Sequence, residues 1–186
     1  MRKINYIVVH CSATREGHVL TPEALESTTG YHYYIRRDGT VLGTRSLELP
    51  GAHCRGHNKY SIGICYEGGL DARGNPKDTR TPEQRSALHL LVYQLLQQFR
   101  NARVCGHRDL SPDLDGDGKV EPWEWVKQCP CFEVKNFRTI IFKTWNYENK
   151  QRNLERYLEN CGYHHCHHSQ CAGRAGDATV KTVLQN

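Results

Sequence analysis

Ile4-Asn5-Tyr6-Ile7-Val8-Val9-His10 is the stretch from which the fold is read. β-Branched and aromatic residues dominate it, as in a buried strand. Alternation puts Ile4, Tyr6, Val8 and His10 on one face. His10 then stands at the strand's C-terminal end, where α/β sheets commonly carry functional groups. A polar loop over 12–17 follows. Thr21-Pro22-Glu23 reads as an N-cap with proline at the first helical position. The helix it opens is short, because Gly30 ends it.

Further along, a strand is expected over 31–37. Asp38-Gly39 is a hairpin-turn signal, and 40–45 returns. Residues 51–59 form a Gly/His-rich loop, and 61–67 is another buried-strand run closed by Gly68-Gly69. Thr81-Pro82-Glu83-Gln84 is a capping box. After it, Leu88, Leu91, Val92, Leu95 and Phe99 make one apolar stripe at helical spacing. A short strand over 102–106 leads into His107. Helical spacing returns in Phe137, Ile140, Ile141, Trp145, Leu154, Tyr157 and Leu158, so a helical extension is expected over 134–160. Residues 161–186 are polar and expected to be disordered.

The chain has 186 residues and a mean hydropathy of -0.71. One domain is the expectation at this length. No apolar run approaches the roughly 20 residues of a membrane span. The net charge of +5 is uneven. Residues 1–133 hold 17 Lys+Arg against 16 Asp+Glu, and residues 134–186 hold 8 against 4. A uniformly basic nucleic-acid domain is therefore not supported. The N-terminus lacks the apolar core of a signal peptide. Synthesis in the cytoplasm is expected, with most of the nine cysteines reduced. Metal ligation is then the more interesting use for some of them.

His10, His107 and Cys129 stand out as nitrogen and sulfur donors that would suit zinc. They are too far apart in sequence for spacing to reveal a site. Each alone reads as ordinary: a core-edge histidine, or a small buried hydrophobe. The ordered motifs around them say more. Val9-His10-Cys11-Ser12-Ala13-Thr14, Gly30-Tyr31-His32-Tyr33-Tyr34-Ile35-Arg36-Arg37-Asp38-Gly39, Gly51-Ala52-His53, Gly56-His57-Asn58, Ser61-Ile62-Gly63-Ile64, Gly106-His107-Arg108-Asp109 and Lys127-Gln128-Cys129-Pro130 follow one another. Together they resemble the zinc-dependent N-acetylmuramoyl-L-alanine amidases of the phage-lysozyme and peptidoglycan-recognition-protein type, over residues 4–132.

The resemblance implies an α/β fold with a mixed central β-sheet flanked by α-helices. It implies zinc on His10, His107 and Cys129. Tyr31 falls where the family has a catalytic tyrosine, and Lys127 where it has an oxyanion-stabilising lysine. A packing role for Tyr31 stays open. His32 is expected to be structural. His53 is a candidate for lining the substrate cleft, with a loop hydrogen bond equally open. The implied activity is hydrolysis of the amide between the lactyl group of N-acetylmuramic acid and L-alanine. Peptidoglycan is the implied partner and a monomer the implied state. The wall would be reached after lysis or by non-standard export.

Residues 113–124 fit the calcium-loop pattern D-x-D-x-D-G-x5-E at every fixed position. Asp113, Asp115 and Asp117 would supply oxygens, Lys119 its carbonyl and Glu124 a bidentate carboxylate. The competing reading is a solvated acidic loop, and Ser111-Pro112 argues against a preceding helix. Compared with simpler members of the family, this loop reads as an insertion into a domain spanning 1–133.

Two departures from the family pattern bear on function. His10 and Tyr31 are only 21 apart, so roughly two turns of helix at 3.6 residues each are missing. A peptidoglycan-binding protein with impaired turnover is the alternative this raises. The tail concentrates Cys161, Cys166 and Cys171 with four histidines. It raises a more distant alternative, a nucleic-acid-associated metal protein.

Overall fold

The computed structural model describes residues 2–19, 21, 30–134, 137 and 139. Among them are the strands β1 (Tyr6–Cys11), β2 (Thr14–Arg15), β3 (Tyr33–Ile35), β4 (Val41–Gly43), β5 (Ser61–Tyr66), β6 (Gly69–Leu70) and β7 (Arg103–Gly106). The helix α1 (Pro82–Gln98) lies between β6 and β7. The main sheet has the order β4-β3-β5-β1-β7. β1 is parallel to β5 and β7, β3 is parallel to β5, and β4 closes one edge antiparallel. This is the mixed α/β sheet expected from the resemblance. β2 and β6 form a separate parallel pair.

Alternation along β1 sorts its residues between two layers. Ile7, Val9 and Cys11 join Ile62, Ile64 and Tyr66 of β5 and Val104 of β7 in the main core. Leu88, Leu91, Val92 and Leu95 of α1 cover them, and with Phe99 just past its end they make the stripe the sequence predicts. Burying each such side chain contributes about 1.5–3 kcal/mol. Val8 and His10 point to the opposite face. Ile4 does not join them as the alternation suggests. β1 begins only at Tyr6, and Ile4 enters the helix-side core.

The capping box holds α1 in place. The Gln84 N–H donates to Thr81 Oγ1 at 3.1 Å, and the Thr81 N–H donates to Gln84 Oε1 at 3.1 Å. Thr81 Oγ1 also donates to the Arg37 carbonyl at 2.7 Å, tying the helix start to the β3–β4 hairpin. The Asp38-Gly39 turn forms as predicted. Gly39 has φ +85°, and a Cβ there would meet Glu83 at 3.0 Å.

β3 is shorter than the expected 31–37 strand for a local reason. The His32 ring takes the Gly63 N–H at 3.0 Å, so a side chain replaces a ladder bond before β3 begins. The core extends past residue 133 to Val134 and Phe137. Phe137 is helical and its ring lies 4.5 Å from that of His89. The expected helix from Thr21, over 22–29, lies outside the described residues. So do the tail and nearly all of the 134–160 extension. Among the described residues, no helix is long and apolar enough to cross a membrane.

Candidate active site at the end of the central strands

Parallel pairing brings distant residues together. Val9 pairs with Gly106, so the next residues, His10 and His107, emerge side by side at the same sheet end. Their ring centroids are 4.6 Å apart. Cys129 arrives on the segment after the acidic loop, and three contacts pin that segment. The Arg108 N–H donates to the Cys129 carbonyl at 2.9 Å, and the Tyr66 hydroxyl to the Pro130 carbonyl at 2.7 Å. The Cys11 N–H donates to Cys129 Sγ at 3.2 Å. The Cys129–Pro130 peptide is cis.

One donor atom from each of His10, His107 and Cys129 lies within 4.8 Å of the others. His10 is 1% exposed, and its Nδ1 is 3.8 Å from Cys129 Sγ. Burial, followed by the neighbouring His53, His107 and Lys127, holds His10 well below the usual histidine range. It is thus neutral and keeps a lone pair for a metal. Two nitrogens and one sulfur fit the donor set of a catalytic zinc site. The three donor atoms lie close enough together to share a single ion.

Tyr31 reaches this centre despite the short connection from β1. Its ring centroid is 5.1 Å from that of His10. Burial first, then the neighbouring Cys65 side chain, push the Tyr31 phenol well above its usual range. It stays protonated at neutral pH. Gly30 anchors the segment, with the Ala52 N–H donating to its carbonyl at 2.8 Å. Lys127 is exposed and lines a groove of about 490 Å³ with His107, Cys54, Arg55, His57 and Val126.

His53 sits differently from a cleft-lining residue. It is 9% exposed, and its Nδ1 is 3.0 Å from His10 Nε2. Burial, then His32 and His107, lower its pKa to about 3. Its ring occupies space that two glycines leave open. A Cβ on Gly63 would come within 2.5 Å of it, and one on Gly51 would clash with it outright. His32 is structural, as expected. Its Nδ1 accepts the Gly63 N–H, and its Nε2 lies 3.0 Å from Arg2 Nη2 and 3.1 Å from the Leu49 carbonyl. The sequence reading missed Cys65, which pairs with His10 across the strands and contacts Tyr31.

Residues 113–124 lie at the surface and gather acidic groups. Asp113, Asp115 and Glu124 bring oxygens within 4.8 Å of one another, and Asp115, Asp117 and Glu121 do the same. Glu121 is outside the motif's fixed positions. Glu124 is buried and accepts the Leu114 N–H at 2.6 Å and the Glu121 N–H at 2.8 Å. Lys119 offers its N–H to Asp117 at 2.8 Å. No α-helix flanks the loop on its N-terminal side; a 3-10 turn, His107–Leu110, stands there instead.

An uncharacterised protein of Haemophilus influenzae is 47% identical over 97 residues, 52% of this chain and 84% of that one. The endolysin of Klebsiella phage KP32 is 36% identical over 144 residues, covering 73% and 86% of the two chains. The endolysin of Escherichia phage T7 is 32% identical over 139 residues, covering 70% and 83%. Among solved structures, the N-acetylmuramoyl-L-alanine amidase LysC from Clostridium intestinale superposes with a TM-score of 0.56 at 24% identity. That match covers 75% of this chain and 86% of the other, and speaks for the fold. The N-acetylmuramoyl-L-alanine amidase family model matches residues 1–130, and this chain is a member of that peptidoglycan amidase family.

Proposed function

We propose that this chain cleaves the amide between the lactyl group of N-acetylmuramic acid and L-alanine in peptidoglycan, with zinc held by His10, His107 and Cys129. The convergence of those three donors within 4.8 Å carries the reading. Zinc bound there supplies a Lewis acid that activates water and polarises a carbonyl. The remaining work falls to the chain's own side chains. Lys127, on the groove wall, directs an ammonium at the developing oxyanion. Tyr31, its phenol protonated, orients the attacking water, or passes its proton toward the leaving amine while taking up the one the water releases. The groove beside His107 and Lys127 takes the substrate strand. The phage endolysin relatives support a setting of wall cleavage at lysis.

Incubation with purified peptidoglycan tests this. New amino-terminal alanine is expected, and its formation stops with a zinc chelator. Pelleting with the wall without new alanine would instead favour the binding-only alternative raised by the short 21–30 segment. The approach of Tyr31 to His10 argues for turnover.

The reading extends to calcium on Asp113, Asp115, Asp117, Lys119 and Glu124. The full motif and the gathered carboxylates support it, and Glu124 stands only three residues before Lys127. Calcium would rigidify the segment that carries Lys127 and Cys129. Calcium added after chelation is expected to raise Tm, and Asp113→Ala to remove that rise. An unchanged Tm would leave only a solvated acidic loop.

A further inference from the structure

We infer that His53 is a positioning residue that fixes the tautomer and orientation of His10, and so sets zinc affinity without touching the metal. This rests on the zinc reading above. His53 is absent from the donor cluster, which comprises His10, His107 and Cys129. It meets the other side of His10 instead. Of the two His10 ring nitrogens, Nδ1 faces Cys129 Sγ at 3.8 Å and Nε2 faces His53 Nδ1 at 3.0 Å.

A neutral imidazole has one proton, and a ligating nitrogen must be free of it. The His10 proton is therefore on Nε2, where it is donated to His53 Nδ1. That nitrogen must accept, so the His53 proton sits on its own Nε2. Ser61 Oγ lies 3.4 Å from it and accepts. The direction of both bonds follows from the metal-facing lone pair.

The surroundings hold His53 in this role. Its N–H donates to Asn58 Oδ1 at 2.9 Å, which fixes the backbone of the loop. Gly51 and Gly63 give its ring the space it fills. Ser61 is the first residue of β5 and fully buried, so the far end of the chain of bonds is also rigid. The acceptor is a neutral ring and not a carboxylate. Its effect is on orientation more than on ligand basicity.

Two substitutions separate this from simple packing. His53→Asn keeps an acceptor oxygen near the Nδ1 position but loses the ring. His53→Phe keeps a ring in the glycine cradle but loses the acceptor. Zinc Kd is measured by competition with a chromophoric chelator, and Tm is measured on the metal-free proteins. His53→Phe is expected to weaken zinc by about 10–100-fold, the usual scale for outer partners of a ligand. His53→Asn is expected to recover most of that loss. Wild-type affinity in His53→Phe, or weaker binding in His53→Asn than in His53→Phe, would overturn the inference. Wild-type and Cys129→Ser proteins are run alongside. If Cys129→Ser binds zinc as wild type does, the ligand assignment itself fails, and the inference about His53 falls with it.

Discussion

The two faces of the central sheet are made from alternate residues of the same strands, yet they differ in kind. Toward α1, Ile7, Val9, Ile62 and Ile64 pack with leucines in a continuous apolar layer. Toward the other side, His10, Gly63 and Cys65 face His53 and Tyr31. The helix side stores stability through non-directional burial, which tolerates exchange of one aliphatic for another. The site side depends on directed contacts between particular atoms, and glycine serves there as room for a histidine. One strand thus serves both, with a one-residue offset deciding which.

Three substitutions test how separable the faces are. Cys129→Ser should have the largest effect. Stoichiometric zinc and amidase turnover are both expected to be lost, while the metal-free fold keeps its helix content by circular dichroism. Retained zinc would break the assignment of the site face as the metal-holding region. Lys127→Ala should come next, with kcat lowered by about 10²–10³-fold, the scale of removing one oxyanion donor. Its zinc content should match wild type, since Lys127 lies on the groove wall. Zinc lost together with activity would merge the two roles. Ile64→Val, on the helix side, should be smallest. A loss of about 0.5–1.5 kcal/mol in denaturant unfolding is expected, with zinc affinity and turnover unchanged. Weaker zinc in this variant would show that the faces are coupled.

The helix side was the more legible of the two. The Thr81 capping box, the Leu88–Leu95 stripe and the Asp38-Gly39 turn are local patterns, and each forms as read. The proposed metal donors are not local. Residues 10, 107 and 129 meet because β1 and β7 pair in parallel and the 129 segment folds back on them. Only the ordered family motifs signalled this, and periodicity alone did not. His53 was legible as a residue of interest but not in its role. That role depends on two glycines, at 51 and 63, whose missing side chains admit the ring. Gly51-Ala52-His53 and Gly63 both belong to the ordered family motifs, so the sequence carries the signal without its meaning. β3 came out short because the His32 ring took a backbone partner, a side-chain event that strand propensity does not record. Ile4 departs from the β1 alternation because it precedes the paired segment, which starts at Tyr6.

The most direct test of the central claim is a zinc titration of chelated protein with peptidoglycan present, following new amino-terminal alanine. The account predicts that activity is absent without metal, rises with added zinc and levels off at one zinc per chain. Activity that persists without zinc, or zinc binding that restores none, would contradict it.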